Sequence, residues 1–484
     1  MDRGGAAVNP PRTAAGGPRA RPLLESAAML DIKLLRESPA AIADNLVDRN
    51  VRVFDDLGPG EEGWAARTVE RLTSLDRAYL DLLREQEDVR RQQNETSAAM
   101  KGVSKLPKAE QQAARAPLVE AGRRLREREQ ELTEAASAAL SARDEAWGRV
   151  PNLTHPEVPR SIDEHRELHR WGTIRDLAAE GVEVRDHLTI AESLDLVDFA
   201  AGAKVAGQKF YYLKNDAVLL DLALQHYALG VARRHGFILH TTPDLARVEI
   251  LQGLGFNPRG ESTQVYSVAD SDLCLVGTAE ITLGGMLADA ILDVESLPLL
   301  VAGLSHCFRT EAGSAGQESR GLYRVHQFTK VELFAFTAGE LDESEAMHRR
   351  MLAIEEEIFQ GLGLPYRVLD IASGDLGGPA YRKFDIEAWM PGRGDYGEVT
   401  STSNCTDYQA RRLRIRYRPA GDGKPKPRHA HMLNGTAVAT SRAIVAILEN
   451  YQQADGSVLV PEVLRPWVGT DRIVARGGAG GSAS

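Results

Sequence analysis

Residues Ser305–Phe336 read SHCFRTEAGSAGQESRGLYRVHQFTKVELFAF, two apolar-patterned runs around a loop of Gly, Ser and Ala. Arg309 and Glu311 fall in the first run. Along the second, Arg324, His326, Phe328, Lys330 and Glu332 share one parity, while Val325, Val331 and Leu333 take the other. Side chains alternate across a strand, so the pattern predicts a hairpin with one apolar face and one face of charged and aromatic groups. Such a row is a poor cover for a sheet and a good floor for a polar, phosphate-bearing ligand. Phe328 and Glu332, four positions apart, span roughly 13 Å at the usual strand rise. That matches the reach from a nucleotide base, across its phosphate, to the side chain of a small molecule joined to it. An aromatic ring can stack on the base, a carboxylate can read the far substrate, and Arg309 can hold the phosphate between them. A surface hairpin of alternating charge fits the same residues, and the pattern alone does not choose.

Motifs elsewhere do choose. The pattern FRxEAGxxGxxxRGLxRVHQFxKVE resembles motif 2 of the class II aminoacyl-tRNA synthetases, in its seryl-tRNA synthetase version. Thr278-Ala279-Glu280 resembles that family's amino-acid-binding triplet. LNGTAVATSR at Leu433–Arg442, running on to ILENYQQADGSVLVPEVLRPWVG, resembles its motif 3 and C-terminal segment. LLDLALQHYALGVARRHGFILHTTPDL resembles motif 1, a helix leading into a strand that ends at Pro243, the homodimer interface in class II enzymes. The likeness covers the chain from Met29 to about Gly469. It implies an α+β fold: an N-terminal antiparallel helical coiled-coil arm, and a catalytic domain on a mixed, mainly antiparallel β-sheet flanked by helices.

Bulk properties agree with a large enzyme. The 484 residues suffice for about three average domains, or one large domain and an appendage. A net charge of -11 excludes a generally basic surface, so nucleic acid would meet local basic patches. Cys274, Cys307 and Cys405 form no CxxC pair, which fits a reducing compartment and gives no support for structural zinc. No apolar run approaches the length needed to cross a bilayer.

The expected division is a disordered extension 1–28, a tRNA-binding helical arm 29–150, a linker 151–169 rich in Pro and His, a catalytic domain 170–470 and a flexible tail 471–484. The extension holds four arginines, much Ala, Gly and Pro, and only Asp2 and Glu25 as acids. It fits a weak transit sequence to a mitochondrion or plastid, or a start assigned too far upstream of Met29; the second reading makes the protein cytoplasmic. From about Trp64 to Trp147, Leu72, Leu75, Tyr79, Leu82, Gln86, Val89, Gln93, Thr96 and Met100 alternate in steps of three and four. Leu118, Leu125, Leu132 and Ala139 recur every seven, and Gly102 and Pro107 break the run between. This predicts a helical hairpin, marginal near its tip because Gln86, Gln93 and Thr96 stand in the seam. Arg84, Arg90, Arg91, Arg115, Arg123, Arg124, Arg126 and Arg128 mark its outer faces, with Lys101, Lys105 and Lys108 near the tip. Solvated coiled coils commonly look so. The resemblance implies instead that the arm reaches the elbow and long variable arm of tRNA(Ser), read by shape and phosphate contacts.

The resemblance also implies a serine–tRNA ligase, which joins L-serine to ATP as seryl-adenylate and then charges tRNA(Ser), and tRNA(Sec) where present. Its catalytic set is Arg309, Glu311 and Arg442. Arg309 would bridge the serine carboxylate and the α-phosphate. Glu311 would accept from the adenine amino group, Phe328 would stack on the base, and the backbone of Val325 would contact the nucleotide, with Thr310 beside them. Arg442 would meet the γ-phosphate; in its small, apolar helical run a buried guanidinium needs some anionic partner. Glu398, Val399, Thr400 and Ser401 form the ATP and magnesium segment, with Glu398 and Ser401 as hard oxygen ligands to Mg²⁺. Positions three apart have opposite parity in a regular strand, so that segment must bend or use water. Thr278, Ala279 and Glu280 would hold the ammonium group, and Glu332 and Thr436 would read the hydroxyl. A site built to pair a hydroxyl rejects alanine strongly, whereas threonine must be excluded by lack of room.

Three departures stand out. LQGLGFNPRGESTQVYS replaces a segment like TGQLPKF, Gln317 and Glu318 replace a basic residue and Asp in the motif 2 loop, and TAVATSR replaces SGLAVGR. The first bears on localisation and the second on tRNA transfer. Two other functions remain to be separated: a catalytically silent paralogue using arm and dimer for binding, and a ligase for a carrier protein, whose relatives lack the arm.

Overall fold

The computed structural model describes residues 30–257, 264–311, 321–421, 423 and 425–475. The extension 1–28, Met29, Gln317, Glu318 and residues 476–484 lie outside the described residues.

Two short helices, Lys33–Glu37 and Pro39–Arg49, precede α1 (Trp64–Val103) and α2 (Lys108–Gly148), which form the hairpin. Every seam position expected on α1, from Leu72 to Met100, is buried or half-buried. The polar seam residues bond across it. Gln93 donates to the Glu129 carboxylate at 2.8 Å, and Gln86 donates to the Thr133 hydroxyl at 3.3 Å. One feature of α2 was not anticipated: it passes through Pro117, which removes a helix hydrogen bond. The apolar core sits at the arm's base, where Leu35, Ile42, Leu46, Leu72 and Trp147 pack together. There Asp76 is buried between Arg36 (2.6 Å) and Arg143 (3.3 Å).

The base is bolted to the rest of the chain by two buried guanidiniums. Arg49 donates to the carbonyls of Asn152, Ala380, Leu376 and Gly377 at 2.6–3.2 Å. Arg412 donates to the Gly148 carbonyl at 2.9 Å, and the Tyr408 hydroxyl donates to Val150 O at 3.1 Å.

Next along the chain come β1 (Arg166–Trp171), α3 (Asp216–Arg234), β2 (Ile238–Thr241), β3 (Leu299–Phe308) and β4 (Gln327–Thr337). They are followed by α4 (Leu341–Gly361), β5 (Tyr366–Asp370), β6 (Arg382–Met390), β7 (Asp395–Asn404), β8 (His431–Ala439) and α5 (Thr440–Asn450). The eight strands make one sheet in the order β1-β5-β6-β7-β8-β4-β3-β2. All neighbours are antiparallel except β2 and β3. Helices α3, α4 and α5 cover one face, packing Leu224, Met351, Ile358 and Ile444 against Val331 and Leu333. On the other face, Phe334 and Phe336 pack under the short helices Val248–Gly253 and Glu280–Gly285.

Three boundaries differ from those expected. β1 pairs with β5 from Arg166, so the sheet domain starts before residue 170. Residues expected as linker are already tied to it: Asn152 N–H donates to Gly378 O and His155 N–H to Tyr381 O. At the far end, Arg472–Ile473 pairs with Val458–Leu459 and Ile473 is buried, so the fold outlasts residue 470. Proline and histidine density suggested a linker, and a Gly-rich terminus a tail; neither pattern registers cross-chain hydrogen bonds. The motif 1 strand also stops at Thr241, short of Pro243.

Candidate active site

The hairpin expected over Ser305–Phe336 is β3–β4, in register from Leu299 opposite Phe336 to Phe308 opposite Gln327. Val331 and Leu333 do face the helices. The charged row, however, is only partly in the strand. Arg309 and Glu311 follow the end of β3, and Arg324 and His326 precede β4, so these four sit at the mouth of the hairpin. Glu311 takes φ 52°, a left-handed conformation that costs a non-glycine residue about 1 kcal/mol or more.

That mouth forms a pocket lined by Arg309, Glu311, Tyr323, Arg324, Val325, Phe328, Ser441 and Arg442. Its groups hold one another. Arg309 donates from Nε to the Gly277 carbonyl at 3.3 Å and lies 5.4 Å from the Phe328 ring centre. Arg324 meets the Glu311 carboxylate at 3.5 Å. The Thr310 N–H donates to Gln264 O, and His326 Nδ1 lies 2.8 Å from both the Tyr266 hydroxyl and the Arg309 carbonyl. Gln264 and Tyr266 belong to the departing segment LQGLGFNPRGESTQVYS. Its end therefore braces the site wall as well as differing in sequence.

Arg442 stands in the first turn of α5, with its guanidinium 2.9 Å from the Glu398 carboxylate and 4.9 Å from the Tyr323 ring centre. The anionic partner its burial required is thus a carboxylate of β7. Burial pushes Glu398 upward, but Arg442, with Lys383 and Arg309, holds it below the usual carboxylate range.

A bulge resolves the parity conflict at Glu398 and Ser401. Thr400 pairs with Ile386 and Glu398 with Glu387, leaving Val399 as the extra residue. Glu398 and Ser401 consequently emerge on one face, opposite Glu387 and Asp385. Val399 enters the helix-side core, and the Thr400 hydroxyl donates to the Thr436 carbonyl, so neither presents its side chain to the pocket. Asp385, beside Ser401, is buried with one oxygen unpartnered; burial pushes its carboxyl up although Lys383 lies 3.4 Å away. An oxygen pair on one face with an orphaned carboxylate oxygen nearby fits a hard divalent cation. Among the described residues no three His, Cys, Asp or Glu side chains converge in a metal-binding group.

The second cluster lies deeper along β4. Glu332 is buried in an ion pair with Lys330, opposite Thr436 on β8, whose hydroxyl lies 3.3 Å from Lys330 Nζ. Glu280, also buried, accepts from Gln409 at 2.7 Å and from Asn434 at 3.1 Å. Burial and the neighbouring Glu332 push Glu280 up to about 7. Thr278 accepts the Glu280 N–H at 3.1 Å, and Ala279 is wholly buried, offering only backbone. Arg309 reaches both clusters: it stands 5.4 Å from the Phe328 ring centre and donates to Gly277, the residue before Thr278. Both clusters are therefore one site with Arg309 between them.

The sequence pattern assigns no role to Tyr323 and Ser441 in the pocket wall or to Gln409 and Asn434 as partners of Glu280. It places Arg324 and Lys330 in the charged row without naming their partners, and Asn434 shares parity with Thr436. Gln409, on the helix Tyr408–Leu413, carried no local signal.

Comparison with known proteins gives consistent matches. The family model described as "Seryl-tRNA synthetase N-terminal domain" matches residues 29–154, and "tRNA synthetase class II core domain (G, H, P, S and T)" matches residues 265–451. A serine–tRNA ligase of Treponema denticola is 49% identical over 449 residues, covering 92% of this chain and 100% of the relative. That of Rubrobacter xylanophilus is 50% identical over 451 residues, covering 92% and 99%. Among solved structures, seryl-tRNA synthetase from Pyrococcus horikoshii complexed with ATP aligns with a TM-score of 0.81 at 39% identity, covering 93% of this chain and 100% of the other.

Proposed function

The chain belongs to the seryl-tRNA synthetases, and on that premise we propose how its site divides the work of a serine–tRNA ligase. The enzyme joins L-serine to ATP, giving seryl-adenylate and pyrophosphate, and transfers the seryl group to the 3′ end of tRNA(Ser). In the first step the serine carboxylate attacks the α-phosphorus, and catalysis is mostly positioning and neutralisation of charge. The observation that carries the assignment is Arg309, which lines the pocket holding Phe328, Glu311 and Arg442 and is tied to Gly277, next to Thr278 and the buried Glu280.

Arg309 grips the α-phosphate and the serine carboxylate. Phe328 stacks on adenine, with Glu311 and the backbone of Thr310 and Val325 at its edge. Arg442, at the positive end of α5, meets the terminal phosphate. Glu398 and Ser401 would hold Mg²⁺ with the phosphates completing its shell, and the ion would neutralise charge on them. Glu280 and Thr278 hold the ammonium, with Ala279 packing beneath. Glu332 and Thr436 read the hydroxyl. The tRNA hydroxyl attacks the activated carbonyl in the second step, so no protein nucleophile is needed.

The arm is proposed to bind tRNA(Ser). Among the described residues Lys101, Lys105, Lys108 and Arg115 make no ion pair, leaving a cationic tip for phosphates. A homodimer is proposed through α3 and β2, whose Val218, Leu219, Leu222, Ile238 and Leu239 are exposed. No helix among the described residues is long and apolar enough to cross a membrane. We place the enzyme in the cytoplasm, with a mitochondrion or plastid as the alternative, and include tRNA(Sec) as a substrate where that tRNA exists.

Serine-dependent ATP–pyrophosphate exchange tests the pocket. Glu332→Ala is expected to lower kcat/KM for serine about 100-fold or more, because it strands buried Lys330 and Thr436; near-normal exchange would refute the assignment. Wild-type exchange without charging of tRNA(Ser) would favour the carrier ligase, and absence of both the silent paralogue.

A further inference from the structure

Behind the amino-acid cluster, on the helix face of the sheet, lies a carboxyl group that the reaction does not use. Glu355 of α4 is wholly buried, and among the described residues neither of its oxygens has a hydrogen-bond partner. One oxygen occupies the space where residue 435 would carry a side chain: a Cβ on Gly435 would stand 2.4 Å from Glu355 Oε1 and 2.9 Å from the Thr402 hydroxyl. Gly435 pairs with Thr402 on one side and Leu333 on the other. Strand alternation sends its neighbours Asn434 and Thr436 to the opposite face. There Asn434 donates to Glu280, and Thr436 stands beside Lys330 and Glu332.

The two hydroxyls near Glu355 have already committed their protons. Thr400 donates to the Thr436 carbonyl and Thr402 to the Asn434 carbonyl, at 3.0 Å for the latter. A hydroxyl has one proton to give, so each can face Glu355 only as an acceptor. A carboxylate there would have to draw on the Thr400 proton, already given to the Thr436 carbonyl, whereas a carboxylic acid supplies its own. Burial, with Glu332 adding to it, raises Glu355 well above the usual carboxylate range, in keeping with the acid form.

We propose that Glu355 is a positioning residue for amino-acid binding: as a neutral acid it donates to the Thr400–Thr402 row, and it fills the void left by Gly435. In doing so it fixes the seam of β7 and β8 that carries Asn434 and Thr436 into the pocket. The inference rests on the proposed role of Thr436 in reading serine.

The test compares Glu355→Gln, which keeps length and a donor, with Glu355→Asp, which withdraws the carboxyl from the seam. Gly435→Ala crowds the same point. Exchange kinetics are measured for serine and ATP separately, with thermal melts alongside. Glu355→Gln is expected to keep the serine KM within about twofold, while Glu355→Asp raises it about fivefold to tenfold, the scale of one buried hydrogen bond. The ATP KM should stay within about twofold in both. Gly435→Ala should raise the serine KM similarly, and Gly435→Ala with Glu355→Ala should not restore it, because the clash and the donor are removed together. Equal damage from Gln and Asp, or parallel shifts of both KM values with the melting temperature, would overturn the inference. Thr436→Ala separates the two readings. If it leaves serine binding intact, the pocket assignment fails; if it impairs binding while Glu355→Asp does not, only the role of Glu355 fails.

Discussion

The arm and the sheet treat charge in opposite ways. Along the arm, Arg84, Arg91, Arg123 and Arg128 lie at the surface and pair with acids three or four residues away on their own helix. In the sheet domain, Glu280 is buried and takes its partners from 129 and 154 positions along the chain. Exposed pairs of the first kind contribute a few tenths of a kcal/mol each. In the buried kind, losing one partner leaves the other unsatisfied and away from water, at a cost of about 1–3 kcal/mol, more where the stranded group is charged. The same residue types are thus solvated and locally paired in one region and desolvated with distant partners in the other, and burial decides which.

Replacing Arg442 by alanine should press this contrast hardest. Loss of the guanidinium frees Glu398 and, in the proposed role of Arg442, removes a cation from the phosphates, so exchange should fall about 1,000-fold. Arg123→Ala on the arm should leave exchange within about twofold. Comparable losses at both positions would erase the distinction.

Acidity provides the next probe. In its proposed role Glu280, raised to about 7, must be ionised to hold an ammonium group. Its kcat/KM for serine should decline about tenfold per unit as the pH drops below about 7, and Glu280→Gln should flatten that limb. Stability runs the other way. The native state binds this proton more tightly than the unfolded chain, whose carboxyl titrates near 4.5. The group's contribution is therefore fully present below that value and is lost as the pH rises through about 7. A urea-melt series against pH reads that sign directly.

The gentlest effect belongs to the tip. Changing Lys101, Lys105 and Lys108 together to alanine should lower kcat/KM for tRNA(Ser) about fivefold at low salt, less at high salt, and leave exchange untouched. A loss of exchange in this variant would mean that the arm and the pocket are not separable.

The same contrast governs what could be read from the sequence. The seam from Leu72 to Met100 was legible because helical periodicity is local, and every position fell where expected. The parity of Val331, Leu333 and Glu332 was legible for the same reason, within one strand. The bulge at Val399 was foreseen only as a conflict of spacing, since a bulge is a relation between two strands. Gln409 and Glu355 gave no signal, because their meaning depends on what lies across a fold boundary. Pro117 gave the opposite lesson: a helix anchored by tertiary contact tolerates a residue that local propensity would forbid.

The two guanidiniums at the arm's root set its mechanics. With Arg49 gripping four carbonyls and Arg412 a fifth, the hairpin is a cantilever clamped at one end. It cannot swing about its base without stranding charge in an apolar interior. Any deflection by a bound load must then come from flexure of the slender outer length, where the seam is thinnest, and the free end sweeps while the pocket below stays still.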